Sequence, residues 1–541
     1  MEPVFSLPNM TKVHVSLPRI LAEIPEGMVL SSIPDVAIAG IAIDSRKVKR
    51  GDLFVALRGA TVDGHAFIGD AVSRGAAAVA GDAPGGETAF PYVQVGDAWK
   101  ALSWIAAAFH GWPARHLCVV GVTGTDGKTT TTNLIHRILL ASRIKAGMIS
   151  TVNAVIGERQ LDTGFHVTTP DAHDVQRYLA EMVDAGLTHV VLETTSHGWA
   201  QHRVDACEFD IAVVTNITHE HLDQHGSYEN YRAAKARLFT GLADTVSKPQ
   251  GNPRLAVLNR DDSSFDYLDG VVDANRVSYG ESSLADVRAV HVQEGPAGVG
   301  FVAEGTGLRV AISTNLKGRY NVSNCLAAIS ATVVGVGVRP EAAAKGIAEL
   351  RGVHGRMEAI DLGQDFLAIV DFAHTPNALK VTLETARELL GYSGSGGRVI
   401  AVFGSAGLRD RQKRRMMAEI SAELADITVL TSEDPRTESL GAILEDMAAG
   451  AVSRGAREGG TFWRIPDRGE AIRFAVRLAR AGDVVLALGK GHEQSMCFGQ
   501  VEYAWDDSTA VRAALAERLG LPGPDMPYLP TRDKLEADWL I

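Results

Sequence analysis

The stretch GVTGTDGKTTTTNLI, residues 121–135, follows the apolar run Leu117–Val120 at a point where a buried strand should give way to a helix. Gly124, Gly127, Lys128 and four consecutive threonines stand at that junction. Glycines let successive backbone N–H groups converge on an anion, and the N-terminus of the following helix adds its partial positive charge. A lysine at position 128 can then reach terminal phosphates while a threonine hydroxyl such as that of Thr129 ligates magnesium. The spacing departs from the usual GxxxxGK[ST], because five residues separate Gly121 from Gly127. An ordinary strand-to-helix turn explains the glycines alone; glycine, lysine and threonine together after an apolar strand point to a nucleotide site.

A chain of 541 residues is too long for one core and predicts about three domains. With 46% hydrophobic residues, 22% charged residues and 55 glycines, it reads as a soluble α/β protein with many tight turns. No apolar run approaches membrane-spanning length, and MEPVFSLPNMTKVHV lacks a basic stretch followed by an apolar one, so no membrane insertion and a cytoplasmic location are expected. Cys118, Cys207, Cys325 and Cys497 are scattered in apolar or helical surroundings and are expected to be buried free thiols. A net charge of -12 provides no electrostatic footprint for nucleic acid; the basic run RDRQKRR at 409–415 reads as a solvated helix face.

Three segments follow from the patterning. Residues 36–110 alternate short apolar strands with glycine turns and an Ala-rich helix, a small α/β unit. From about 116, HLCVVGVTG, HVVLETTSHG, DIAVVTNITHEHLD and RLAVLNRDD each carry a buried-strand run that ends in polar residues. A third series begins near 355 with FLAIVDFAHTP, RVIAVFGSAG, ITVLTSEDPR and DVVLALGKGHE. The Pro-rich end, 521–541, reads as a peripheral tail. In open parallel sheets such polar strand ends line the ligand crevice. The expected division is 1–115, 116–352 and 353–541: a small N-terminal α/β domain, a central P-loop domain with a mainly parallel sheet, and a C-terminal Rossmann-like domain.

Two strand ends beside Lys128 carry histidines and carboxylates: Glu193, Thr195, His197, Gln201 and Arg203 in one, His219, His221, Asp223 and His225 in the other. Beside phosphates these suggest magnesium ligation, since Mg²⁺ completes its shell with phosphate oxygens and water. A hydrolytic dimetal pair is the alternative, but HxHxDxH is one residue off the HxHxDH signature and leaves the phosphate loop without a role. Capping or core histidines are the plainer reading of any single His here.

Taken in order, GTDGKTTT, HVTTPDAHDVQ, ETTSHGWAQHRV, TNITHEHLDQHGSYENYRAAKARLF, GRYNVSNCLAA, HGRMEAI, VDFAHTPNAL and GKGHE resemble the successive motifs of the Mur ligases, most narrowly the MurE branch, the UDP-N-acetylmuramyl-tripeptide synthetases. The resemblance covers about residues 40–505. It implies three domains: one for the UDP end of the precursor, a central ATPase, and a third that closes over the site with the amino acid. The implied reaction is ATP-dependent addition of the third amino acid to UDP-N-acetylmuramoyl-L-alanyl-D-glutamate, with ATP and Mg²⁺ and a monomeric enzyme. ATP phosphorylates the D-Glu side-chain carboxylate, the incoming amine attacks the acyl phosphate, and phosphate leaves. Such chemistry is positioning and charge neutralisation, which a phosphate loop, magnesium ligands and cations from a closing domain supply.

The residue roles implied by the resemblance are these. Gly124, Thr125, Gly127, Lys128, Thr129 and Thr130 contact the triphosphate; Asn324 meets the adenine edge; Arg356, Asp371 and His374 complete the nucleotide contacts from the third domain. Thr129, Glu193, His221 and Lys235 belong to the metal site, with Lys128, Lys235 and His221 in catalysis. Thr168, Thr169, Thr195, Gln201 and Arg203 hold the muramoyl-dipeptide and Ser45 the uridine side. By spacing alone Lys235 is a surface helix lysine; the resemblance makes it a lysine carbamylated by CO₂, whose new carboxylate helps hold magnesium. Carbamylation needs the neutral amine.

The acceptor amino acid falls to Arg409, Glu433, Asp434, Pro435, Arg436, Gly489 and Glu493. In diaminopimelate-adding relatives the matching block is typically DNPR, whose arginine grips the distal carboxylate. Here it reads EDPR, so Arg436 is kept and Asp434 replaces an amide with a negative charge. Ser405, Ala406 and Leu408 also depart from the usual glycine-rich form of their block, with Arg409 kept. Arg409 and Arg436 favour meso-diaminopimelate; Asp434 paired with Arg436 would favour L-lysine or L-ornithine. A folylpolyglutamate-synthetase-type ligase and a nucleotide-hydrolysing module that does not ligate are the other readings.

Overall fold

The computed structural model describes residues 14–59, 62–84, 89–161, 169–218, 227–295, 297–394 and 396–532. Near the N-terminus, Gly40–Ala42, Asp52–Ala56, Ala78–Gly81 and Tyr92–Gln94 pair in sequence order into a four-stranded parallel sheet. Asp52–Ala56 is buried throughout, as a parallel strand covered on both faces must be. The helix Ala98–Phe109, capped by the Asp97 carboxylate on the Lys100 N–H, closes one face of it.

The second sheet has eleven strands. Cys118–Thr123 lies inside it, parallel to His189–Glu193 on one side and Ile211–Val214 on the other. The chain leaves Cys118–Thr123 through the helix Lys128–Ala141 towards the first side and later returns to build the second, so the winding reverses at this strand. Ligands of open α/β sheets bind at such a reversal. A meander of Val287–Gly295, Gly298–Gly305 and Leu308–Thr314 extends the far edge antiparallel, and alternate residues of its middle strand are buried, the mark of a sheet covered on one face.

The third sheet has six strands, five of them parallel: Leu367–Asp371, Val484–Leu488, Val399–Phe403, Ile427–Leu430 and Phe462–Arg464 in spatial order. Glu358–Ile360 adds an antiparallel edge. Every loop that the sequence marked in this segment therefore leaves the same end of one sheet. Arg468 joins two of those loops to the core. Fully buried, it pairs with Asp507 at 2.6 Å and donates to the carbonyls of Ser432 and Leu488, the residues just before Glu433 and Gly489.

Three expectations need correction. The Pro-rich end is not peripheral throughout: Met526 and Leu529 pack into the third core, and Thr531 Oγ1 donates to Asp467 at 2.6 Å, because this stretch carries apolar residues between its prolines. Cys497 is half-exposed, unlike Cys118, Cys207 and Cys325, because it sits on the hairpin Ser495–Phe498/Val501–Ala504 outside the main sheet. The basic run is not simply solvated. Within the helix Arg411–Leu424, Arg414 is wholly buried and pairs with Glu438 at 2.6 Å and Asp446 at 3.2 Å.

Candidate functional site

A cavity of about 530 Å³ lies between the second and third sheets, lined by the phosphate loop, the end of His189–Glu193 and the loop after Leu367–Asp371. Its floor is the turn 124–127. Gly124 has φ +151°, and a Cβ there would meet Thr215 Oγ1 at 1.8 Å; Gly127 has φ +80°, and a Cβ would meet Asn324 Oδ1 at 2.4 Å. Both positions therefore demand glycine. Asn216 pins the loop from the next strand, its carbonyl taking the Thr125 N–H at 2.7 Å and its side-chain oxygen the Asp126 N–H at 2.9 Å. Thr125 Oγ1 lies 3.1 Å from the Tyr231 hydroxyl. Lys128 to Thr130 open a helix, and first-turn N–H groups have no intrahelical acceptor, so they are available to an anion. Lys128 Nζ rests on the Thr125 carbonyl at 2.7 Å, a neutral partner that a phosphate can replace.

Glu193 is 1% exposed and accepts from Thr129 Oγ1 and the Thr151 N–H, both at 3.0 Å. Lys235 is buried, with Nζ donating to the Gly124 carbonyl at 2.5 Å over the Tyr231 ring. The surface position suggested by its spacing is thus wrong. It lies on the helix Tyr228–Thr240, which packs beneath the phosphate loop. His221, with His219, Asp223 and His225, lies outside the described residues, as does Thr168.

From the third sheet, Arg356 stacks on Phe372 at 4.4 Å and donates to Thr129 Oγ1 at 3.4 Å. Asp371 accepts from the Met357 and Ala373 N–H groups, and burial raises its carboxyl above the ordinary range against the pull of Arg356. His374 lines the cavity; burial, aided by Lys413, lowers its imidazole to about 3, so it is neutral at physiological pH. Asn324 is buried under the loop, accepting from Thr131 Oγ1 and donating to Asn321.

Thr195 caps the helix Ser196–Ala200 and lies 3.2 Å from Thr169 across their hydroxyls. Arg203 donates to the Thr169 carbonyl at 2.5 Å, and burial lowers its guanidinium below its ordinary value. Gln201 Oε1 is buried with no hydrogen-bond partner among the described residues. Ser45 sits apart from this cluster, buried in the short helix Ser45–Lys47 of the N-terminal unit.

The acceptor-loop residues gather at one end of the third sheet. Gly489 has φ +105°, and a Cβ on it would meet Glu433 Oε2 at 2.4 Å. That oxygen is buried and has no hydrogen-bond partner among the described residues. Burial pushes the Glu433 carboxyl up to about 7, against the pull of Lys413, Arg468 and Lys490. Asp434 accepts from Lys490 Nζ at 3.1 Å and from the Cys497 N–H at 3.0 Å. Arg409 is exposed and Arg436 half-buried, and among the described residues neither guanidinium takes part in an ion pair or hydrogen bond. Asp434 and Arg436 flank Pro435 with φ of +39° and +54°, a left-handed backbone that non-glycine residues adopt at a cost of about 1–2 kcal/mol each. Glu493 reaches the lining of the cavity, so the two regions adjoin.

Comparison with known proteins agrees with this arrangement. Residues 37–110 match the Mur ligase family catalytic domain, 122–332 the Mur ligase middle domain, and 355–491 the Mur ligase glutamate ligase domain. The chain is 44% identical over 494 residues to the UDP-N-acetylmuramyl-tripeptide synthetase of Roseiflexus sp. (strain RS-1), covering 90% of this chain and 96% of that one. The chain belongs to the Mur ligase family. It is an ATP-dependent amide ligase of peptidoglycan synthesis. It is also 41% identical over 481 residues to the UDP-N-acetylmuramoyl-L-alanyl-D-glutamate--2,6-diaminopimelate ligase of Geobacillus kaustophilus (strain HTA426), covering 89% of this chain and 95% of that one. A solved structure of a UDP-N-acetylmuramoyl-L-alanyl-D-glutamate--2,6-diaminopimelate ligase has a TM-score of 0.63 at 30% identity, covering 94% of this chain and all of that one.

Sequence reasoning did not single out Asn216, Thr151, Phe372 or Lys490 in this ligase. Asn216, Phe372 and Lys490 stand inside motifs that it quoted, so their neighbours were a usable signal. Thr151 meets Glu193 through its backbone N–H, a contact that no residue type announces.

Proposed function

We propose that this ligase joins meso-diaminopimelate to the D-Glu side chain of UDP-N-acetylmuramoyl-L-alanyl-D-glutamate, with L-lysine and L-ornithine as poorer acceptors. The observation that carries the reading is the orientation of Asp434: its carboxylate is held by Lys490 and the Cys497 N–H, while Arg436 and Arg409 are left without ion pairs among the described residues. Two unpaired guanidinium forks suit a distal carboxylate that lysine and ornithine lack. The relatives named for 2,6-diaminopimelate support the same acceptor. A competition assay offering the three amino acids with ATP and the muramoyl-dipeptide is expected to favour meso-diaminopimelate in kcat/KM by about tenfold or more. A tenfold preference for lysine or ornithine would refute it.

In the proposed cycle the γ-phosphoryl passes to the D-Glu carboxylate oxygen and ADP leaves. The acceptor amine then forms the C–N bond as the C–O bond to phosphate breaks, and the amine gives up a proton. First-turn N–H groups and Lys128 hold the phosphates, Arg356 approaches from the third sheet, and Thr169, Thr195 and Arg203 orient the dipeptide. Glu193 and Thr129 Oγ1 offer the hard oxygen donors that Mg²⁺ takes, 3.0 Å apart, and Lys235 as a carbamate would add another. Magnesium bound there would neutralise charge on the transferring phosphate. The proposed limits are 1–115, 116–352 and 353–541, supported by three sheets whose strands fall within those ranges. The enzyme is proposed to act as a cytoplasmic monomer.

Glu433 supplies a pH test. Its raised pKa leaves it neutral below about 7 and ionised above, so its attraction for a substrate ammonium is lost as pH falls through that value. The KM for the acceptor is expected to rise as pH is lowered from about 8 to about 6, and Glu433→Gln is expected to flatten that dependence.

A further inference from the structure

Lys490 carries no assigned role, yet its side chain is fully buried between the two acceptor loops. Its ammonium lies 3.1 and 3.2 Å from the two Asp434 oxygens and 2.5 Å from Glu493 Oε2. Asp434 and Arg436 straddle Cys497: the first accepts the Cys497 N–H through its side chain, and the second donates its own N–H to the Cys497 carbonyl at 3.0 Å. The loop backbone is clamped further by the Gly407 N–H on the Asp434 carbonyl and the Gly499 N–H on the Arg436 carbonyl, at 2.9 and 2.8 Å. With the backbone held on both sides, the remaining freedom is where the Asp434 carboxylate points. A buried carboxylate requires a partner: Lys490 reaches Asp434 from the loop after Val484–Leu488, Arg436 stands two residues on in its own turn, and the buried Arg468, already paired with Asp507, adds its charge nearby.

We propose that Lys490 is a positioning residue for acceptor choice: by holding Asp434 it keeps Arg436 free for the distal carboxylate of a diamino dicarboxylic acid. The inference rests on the acceptor reading above. It explains how EDPR can serve where an uncharged second residue is expected, since the added charge is neutralised inside the protein before substrate arrives. Lys490 also pairs with Glu493, three residues on in its own loop.

The test uses the full-length enzyme with ATP and the muramoyl-dipeptide, comparing wild type, Lys490→Met, Asp434→Asn and the double variant. Lys490→Met removes the charge at similar length, so Asp434 turns to Arg436, and the KM for meso-diaminopimelate is expected to rise by about tenfold or more. The KM values for ATP and dipeptide, and kcat at saturating acceptor, are expected to stay within about threefold. Asn at 434 keeps the shape without the charge, so the double variant is expected to return the diaminopimelate KM to within about threefold of wild type. A merely structural lysine would not be rescued by that second change. An unchanged KM in Lys490→Met, or a double variant no better than the single, overturns the inference. Should Lys490→Met fail to fold, the double variant decides alone, because a KM raised tenfold there overturns it equally. Wild-type enzyme that ligates lysine or ornithine and not diaminopimelate overturns the acceptor reading, and with it this inference; wild type that uses diaminopimelate alongside an insensitive Lys490→Met overturns the inference only.

Discussion

Lys128→Ala is expected to lower kcat for ligation by about a thousandfold while leaving the fold intact. The ammonium stands at the start of the helix that opens onto the cavity, and its present partner is the Thr125 carbonyl. In a phosphoryl transfer the charge that develops on the phosphate oxygens must be met by groups already in place, and one preorganised donor is worth about 10²–10³ in rate; a full cation on the transferring group stands at the upper end. The loop itself does not depend on Lys128, because Asn216 holds Thr125 and Asp126 and the two glycines set its path. The loss should therefore appear in the release of phosphate and of tripeptide product, with an unchanged melting temperature. Turnover near wild type in purified, folded Lys128→Ala would refute the assignment of this turn as the phosphate cradle.

Lys235→Ala is expected to lose activity by about a hundredfold or more, and small carboxylates such as formate or acetate are expected to restore part of it. The side chain is 2% exposed and its amine lies against the Gly124 carbonyl, in the loop proposed to take the phosphates. A carbamate on that amine changes a cation into an oxygen ligand at the same place, and a soluble carboxylate can enter the space left by alanine and supply the same oxygens. If Lys235 served only to prop Gly124, an anion would not substitute for it, since a carboxylate cannot donate to a carbonyl. Activity in the unrescued variant equal to wild type would overturn both the metal and the carbamate assignments.

The phosphate loop was legible because its residues are contiguous. Gly124, Gly127, Lys128 and the threonines after it act within one strand–turn–helix unit, whose geometry follows from local backbone preferences. The ends of the parallel strands were legible for a related reason: an apolar run followed by polar residues marks both the strand and the edge where its side chains meet a ligand. The Pro-rich end was misread because composition counts prolines and misses Met526 and Leu529, whose burial depends on a core built elsewhere in the chain.

By itself, then, the sequence carried the succession of α/β units, the glycine turn before Lys128–Ala141 and the family's motifs, all in short stretches in a fixed order. The tertiary structure decided what distant residues do to one another. Lys235 is 111 residues from Gly124, whose carbonyl it reaches, and its burial is invisible in a helix that reads as polar. Asp434 and Lys490 are 56 residues apart, and they meet because the loops after Ile427–Leu430 and Val484–Leu488, strands on either side of Val399–Phe403, leave the same end of one sheet. A charge's effect depends on its nearest partner and on how much water lies between them, and both are properties of packing.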